Sequence, residues 1–157
     1  MAEVYEIVLE EVPRRSLLPL LKSLEAKAGT FVDLTVSEPL GALAGTEITN
    51  ELIDAVIDCQ DTICIMGRIC YLEIFGDKCL KDVFLRVIKY NGGIDVELSF
   101  EDSGYSDIEA VMLAMQRYVS SLAEQFRIPV FYGGLEPAVD LDTRYFTNDV
   151  FRYNRTS

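Results

Sequence analysis

The chain contains no histidine. This removes the Ser-His-Asp and Cys-His nucleophile arrangements and every metal triad built on imidazole. The glycine motifs that cradle phosphates are also missing: there is no G-x-G-x-x-G, no G-x-x-x-x-G-K-S/T and no G-x-S-x-G. The commonest hydrolase, nucleotide-binding and phosphotransfer readings fall with them, while carboxylate chemistry stays open. Positive charge is scarce, with 14 Lys and Arg against 26 Asp and Glu and a net charge of −12. Phosphate backbones and anionic membranes are bound by clustered cations, and the longest basic run here is Arg14-Arg15. Neither direct nucleic-acid binding nor membrane adhesion is expected. No stretch reaches the roughly 18 apolar residues of a membrane span. The start Met1-Ala2-Glu3-Val4-Tyr5-Glu6 places acid where a signal peptide carries positive charge, so a cytoplasmic location is expected.

Four cysteines, Cys59, Cys64, Cys70 and Cys79, are separated by five, six and nine positions, so none forms a C-x-x-C pair. Without histidine no mixed zinc site is available. They read as reduced, small apolar residues packed in the core. No metal and no cofactor are expected.

What is present suits an α+β domain. At 157 residues, half of them apolar, the chain fits a single domain spanning 1–157. Strands are expected at 3–10, 31–36, 63–75, 82–90, 94–101 and 129–132, forming a mainly antiparallel sheet. The clearest is 94–101, where Ile94, Val96, Leu98 and Phe100 alternate with Asp95, Glu97, Ser99 and Glu101. Asn91-Gly92-Gly93 signals a hairpin before it, with a three-residue loop. Gly67 suggests a bulge or turn within 63–75, whose apolar set includes Ile69, Tyr71, Ile74 and Phe75.

Helices are expected at 17–28, capped by Ser16 with Pro19 in the first turn, and at 107–126. The latter follows a Ser106-x-x-Glu109 capping box and carries a stripe of Val111, Met112, Met115, Val119 and Leu122. The stretch 47–60 is open between helix and strand. Helix is preferred, because a strand would mix Leu52 and Val56 with Asp54 and Asp58 on one face.

No catalytic residues are assigned. The pair in Asp140-Leu141-Asp142-Thr143 lies after Pro137 in the tail and reads as a solvated loop. Glu97 and Glu101 share a strand face, but acid/base work needs burial that drives their pKa values apart. The acids make better candidates for a partner-binding surface. As a helix, 47–60 puts Glu51, Asp54, Asp58 and Asp61 on one acidic stripe. A second base-free block holds Asp95, Glu97, Glu101 and Asp102. Tyr132 and Tyr145, in an aromatic-rich tail, are further candidates. Such a surface suits fast docking onto a basic protein.

The hairpin block Val87-Ile88-Lys89-Tyr90-Asn91-Gly92-Gly93-Ile94-Asp95-Val96-Glu97-Leu98-Ser99-Phe100 and the segment Tyr132-Gly133-Gly134-Leu135-Glu136-Pro137-Ala138 resemble features of the immunity proteins of bacterial polymorphic-toxin and contact-dependent systems. The resemblance implies a non-catalytic inhibitor that binds one cognate toxin, a basic domain such as a nuclease, through an acidic face. The alternatives are a small-molecule-binding or regulatory α+β module, with a pocket between sheet and helices, and an enzyme using carboxylates alone.

Overall fold

The computed structural model describes residues 2–43, 45, 47–75 and 78–151. Its elements are β1 (Val4–Glu10), α1 (Arg14–Ala28), β2 (Val32–Val36), α2 (Asn50–Asp58), β3 (Ile63–Glu73), β4 (Cys79–Tyr90), β5 (Gly93–Glu101), α3 (Ile108–Phe126), β6 (Val130–Leu135), β7 (Arg144–Thr147) and β8 (Val150–Phe151). Short 3-10 turns lie at Gly41–Leu43 and Leu141–Thr143. The strands form one eight-stranded sheet in the order β2-β3-β4-β5-β1-β6-β7-β8, antiparallel throughout. This is the expected α+β architecture.

All three helices lie on one side of the sheet. In β5 the inward set, Ile94, Val96, Leu98 and Phe100, is buried in the same core as Leu17, Leu20, Leu21 and Leu24 of α1 and Val111, Met112, Met115 and Val119 of α3. α1 packs on β3, α3 on β6, and α1 also meets α2 and α3. Ile48, Leu52, Ile53 and Val56 turn α2 toward this core. The segment left open between two readings is therefore a helix. Thr49 caps it by accepting from the Leu52 N–H at 3.1 Å. At its other end, Lys89 is buried and donates to the Cys59 and Asp61 carbonyls, a cation where the helix macrodipole is negative.

Several local expectations are corrected. α1 begins at Arg14, after Pro13, so Ser16 lies inside it and Pro19 beyond its first turn. The Ser16 hydroxyl instead donates 2.9 Å to the Phe126 carbonyl, satisfying an orphan acceptor at the end of α3. The α3 cap is Asp107, one residue later than the Ser106 box, and it accepts from the Ala110 N–H at 3.1 Å. The β4–β5 loop is two residues, Asn91-Gly92, because Tyr90 pairs with Gly93.

Gly67 does not interrupt β3. The irregularity lies opposite, in β2, where Asp33 adopts φ 55° and the register shifts between Val32 and Thr35. At Asp82, φ is 53°, and around it the alternation of burial slips by one: Leu80 and Val83 are both core residues. Tyr71, which pairs with Lys81, is thereby carried off the core face, and Phe75 in the following turn is exposed as well. The cysteines are free thiols but not fully buried: Cys59 is half-buried against the core, Cys64 and Cys79 are half-buried, and Cys70 is exposed. Among the described residues, no helix is long and apolar enough to cross a membrane.

Candidate functional site

The helices leave the opposite side of the sheet uncovered. Antiparallel register aligns its side chains in rows. One row runs Met66, Arg86, Glu97, Val8, Tyr132 and Thr147 across β3, β4, β5, β1, β6 and β7. The next runs Arg68, Phe84, Ser99, Glu6, Gly134 and Arg144. The Arg86 guanidinium meets the Glu97 carboxylate, with Nε 3.0 Å and Nη2 2.5 Å from Oε1.

At the β1–β6 end this face is roofed by the loop that follows β6. Ala138 is buried against Val8 and Tyr132. Its N–H donates 2.7 Å to Glu6 Oε2, and its carbonyl accepts from Arg144 Nε at 2.8 Å. The Arg144 guanidinium carbon lies 3.9 Å from the centre of the Tyr132 ring. Gly134 makes the close approach possible: an added Cβ would stand 2.7 Å from Arg144 Cα and overlap the Thr143 carbonyl. Burial, together with the nearby Glu97 and Glu136, raises the Glu6 carboxyl above its ordinary range, against the Ala138 N–H and Arg86. What stays bare is the β3–β4–β5 part.

The acids expected to bind a partner fall into two groups that the fold does not bring together. Glu51, Asp54, Asp58 and Asp61 are exposed on and just after α2, on the helical side of the sheet. Asp95, Glu97 and Glu101 belong to the open side, with Asp102 at the strand end. Three of these four are already engaged. Asp95 accepts from the Glu11 N–H and the Tyr90 hydroxyl, each at 3.1 Å, and burial raises its carboxyl. Glu97 is paired with Arg86, and Asp102 accepts from the Glu3 N–H at 3.0 Å. Glu101 is exposed and makes no ion pair or hydrogen bond through its side chain among the described residues.

The aromatic candidates both make contacts within the chain. Tyr132 is buried, and its hydroxyl donates 2.9 Å to Glu10 Oε2; Tyr145 is half-buried with its ring edge-on to Tyr5 at 5.8 Å. The features that sequence reasoning missed are Arg86, Arg68 and Lys81 on the open face and the exposed Met66, Tyr71 and Phe84 beside them. A groove of about 480 Å³ runs there, lined by Arg68, Lys81, Phe84, Ser99, Glu101 and Tyr105 among others.

The pattern of the PABL017 Cdi1I immunity proteins matches residues 3–151, nearly the whole chain. The chain belongs to that family. A chain of one solved structure is similar to this immunity protein over 97% of its length and 98% of the other's, at 33% identity and a TM-score of 0.91. It comes from the crystal structure of the toxic C-terminal tip of CdiA from Pseudomonas aeruginosa in complex with immune protein. No curated protein matches. The resemblance drawn from the hairpin and the tail segment therefore holds at the level of family and fold.

Proposed function

We propose that the protein is a stoichiometric, non-catalytic inhibitor that binds the toxic C-terminal tip of a CdiA-type protein in the cytoplasm, and that it works as a single folded domain. The carrying observation is the near-complete match to a chain from a toxin–immunity structure, at 33% identity over 97% of this chain. Neutralisation by binding needs a preformed surface rather than a reacting group, and a rigid open sheet supplies one.

Charge supports a basic toxin domain, such as a nuclease, as the partner. A chain with a net charge of −12, with exposed acids on α2 and at the end of β5, favours rapid encounter with a cationic surface. The two acidic groups lie on opposite sides of the sheet. Glu101 is therefore assigned to the contact, and Glu51, Asp54, Asp58 and Asp61 to long-range attraction.

Association kinetics with the cognate toxin tip at several salt concentrations test this reading. Glu101→Lys, and separately Asp54→Lys with Asp58→Lys, should slow association and flatten its salt dependence while leaving the melting temperature nearly unchanged. Unchanged on-rate and salt slope in both variants would reduce the acidity to a solubility feature.

A further inference from the structure

We infer that Met66, Tyr71 and Phe84 anchor the toxin contact on the bare β3–β4 surface, an inference that rests on the toxin-binding reading above. The occupant is the toxin tip, presenting an apolar centre whose basic border lies toward Glu101.

The three side chains are 41%, 57% and 54% exposed, although they stand on long, paired, interior strands of the sheet. The other exposed large hydrophobics, Leu43, Phe75, Val139, Leu141 and Val150, lie in turns or on the terminal strand β8. Single exposed apolar residues at such places are ordinary. Here Met66 and Phe84 are diagonal neighbours across β3–β4, Tyr71 stands farther along β3, and Arg68, Arg86 and Lys81 are interleaved with them. Aromatics, Met and Arg are the residue types enriched at the centres of protein interfaces, and Tyr and Arg dominate their hot spots.

Geometry makes the patch receptive. Phe84 faces Ser99 across β4–β5, and the small serine leaves the groove open beside the ring. The far wall is held rigid. Tyr105 accepts from the Lys81 N–H at 2.9 Å and packs edge-on to buried Phe100 at 6.0 Å. The turn leading to it is fixed by the Asp102 N–H on the Glu3 carbonyl, at 2.9 Å. A wall ordered before binding costs little entropy on association.

Charge complementarity favours the toxin over a second copy of this chain. The groove reaches Glu101 at the end of β5; of the cations that line it, Arg68 is paired with Asp33 at 3.4 Å and Lys81 is next to Asp82, which lines it too. A basic toxin surface fits that acidic end, whereas a second copy of a −12 chain is repelled at long range.

The test is dissociation of the wild-type complex with the cognate toxin tip, compared with Phe84→Ala, Tyr71→Ala and the triple Met66/Tyr71/Phe84 alanine variant. Phe84→Ala and Tyr71→Ala should each raise the dissociation rate at least about thirtyfold, the span of an interface hot spot, with on-rates changed less than about threefold. Glu101→Lys should show the opposite split. Thermal melts control for folding, since exposed truncations change stability little. A triple variant that dissociates like wild type, while wild type binds, overturns the anchor and leaves the toxin-binding reading standing. Wild-type protein that does not bind the tip overturns both. Concentration-dependent dimers in analytical ultracentrifugation that Phe84→Ala abolishes would assign the patch to a second copy and overturn the inference.

Discussion

Arg86 of β4 and Glu97 of β5 are directly opposite in the sheet register and form an ion pair, with Nη2 2.5 Å from Oε1. An acid that alternation alone presents as free for a partner is thus neutralised within the chain. Reversing Glu97 by itself confounds two effects, because it also sets Arg86 against a like charge. Glu97→Lys is expected to lower stability by up to about 1 kcal/mol, the range of pairs near the surface. The swapped pair Arg86→Glu with Glu97→Arg should recover most of it. Melts at low and high salt check this: a swap no better than the single variant would show that the pair contributes nothing.

Met115 is fully buried in α3 against the sheet. Met115→Asp puts an unpaired charge there, and a loss of more than about 4 kcal/mol is expected. Chemical denaturation measures it directly. A midpoint close to the parent's would mean that α3 does not seal the core.

Stability should depend on pH through Glu6. Burial holds its carboxyl above the ordinary 4.5 in the folded chain, so the folded state grips this proton more tightly than the unfolded one. The group's contribution is then fully present below 4.5 and is lost as pH rises through the raised value. Glu6→Gln keeps an acceptor for the Ala138 N–H while removing the charge. It should melt above the parent at neutral pH and converge with it below about pH 4, near the unperturbed carboxylate range. A variant that melts lower at neutral pH would show that the charged carboxylate is needed to hold the loop.

Much of the sheet was legible because burial on one face imprints alternation: Ile94 to Phe100 is the clearest case, and the stripe through Met115 did the same for α3. The ion pair was legible too, had the loop been taken as the two residues Asn91-Gly92. That register places 86 opposite 97 and 84 opposite 99 without further information. A three-residue loop shifts every pair by one.

The β7–β8 hairpin escaped because its strands are four and two residues long, too short for a period. Its local signal was Asn148-Asp149 between Phe146-Thr147 and Val150-Phe151, and Asn148 indeed adopts φ 49°. The bare face was not legible, since Tyr71 leaves the core only through the slip at Asp82 and Tyr132 is buried on the opposite side only because the loop after its own strand folds back over it. Composition showed the acidity; which acids are already bonded depends on contacts such as Asp102 to Glu3, 99 residues apart.

The most direct measurement is titration of the purified cognate CdiA toxin tip with this protein, following complex formation by calorimetry and toxin activity in parallel. Inhibition by occupancy predicts a saturable complex of fixed stoichiometry, with activity lost in proportion to the fraction bound. Nanomolar or tighter affinity lies within reach of such pairs, which include some of the tightest known. Full toxin activity at saturating protein, or inhibition that continues catalytically at substoichiometric protein, would contradict the account.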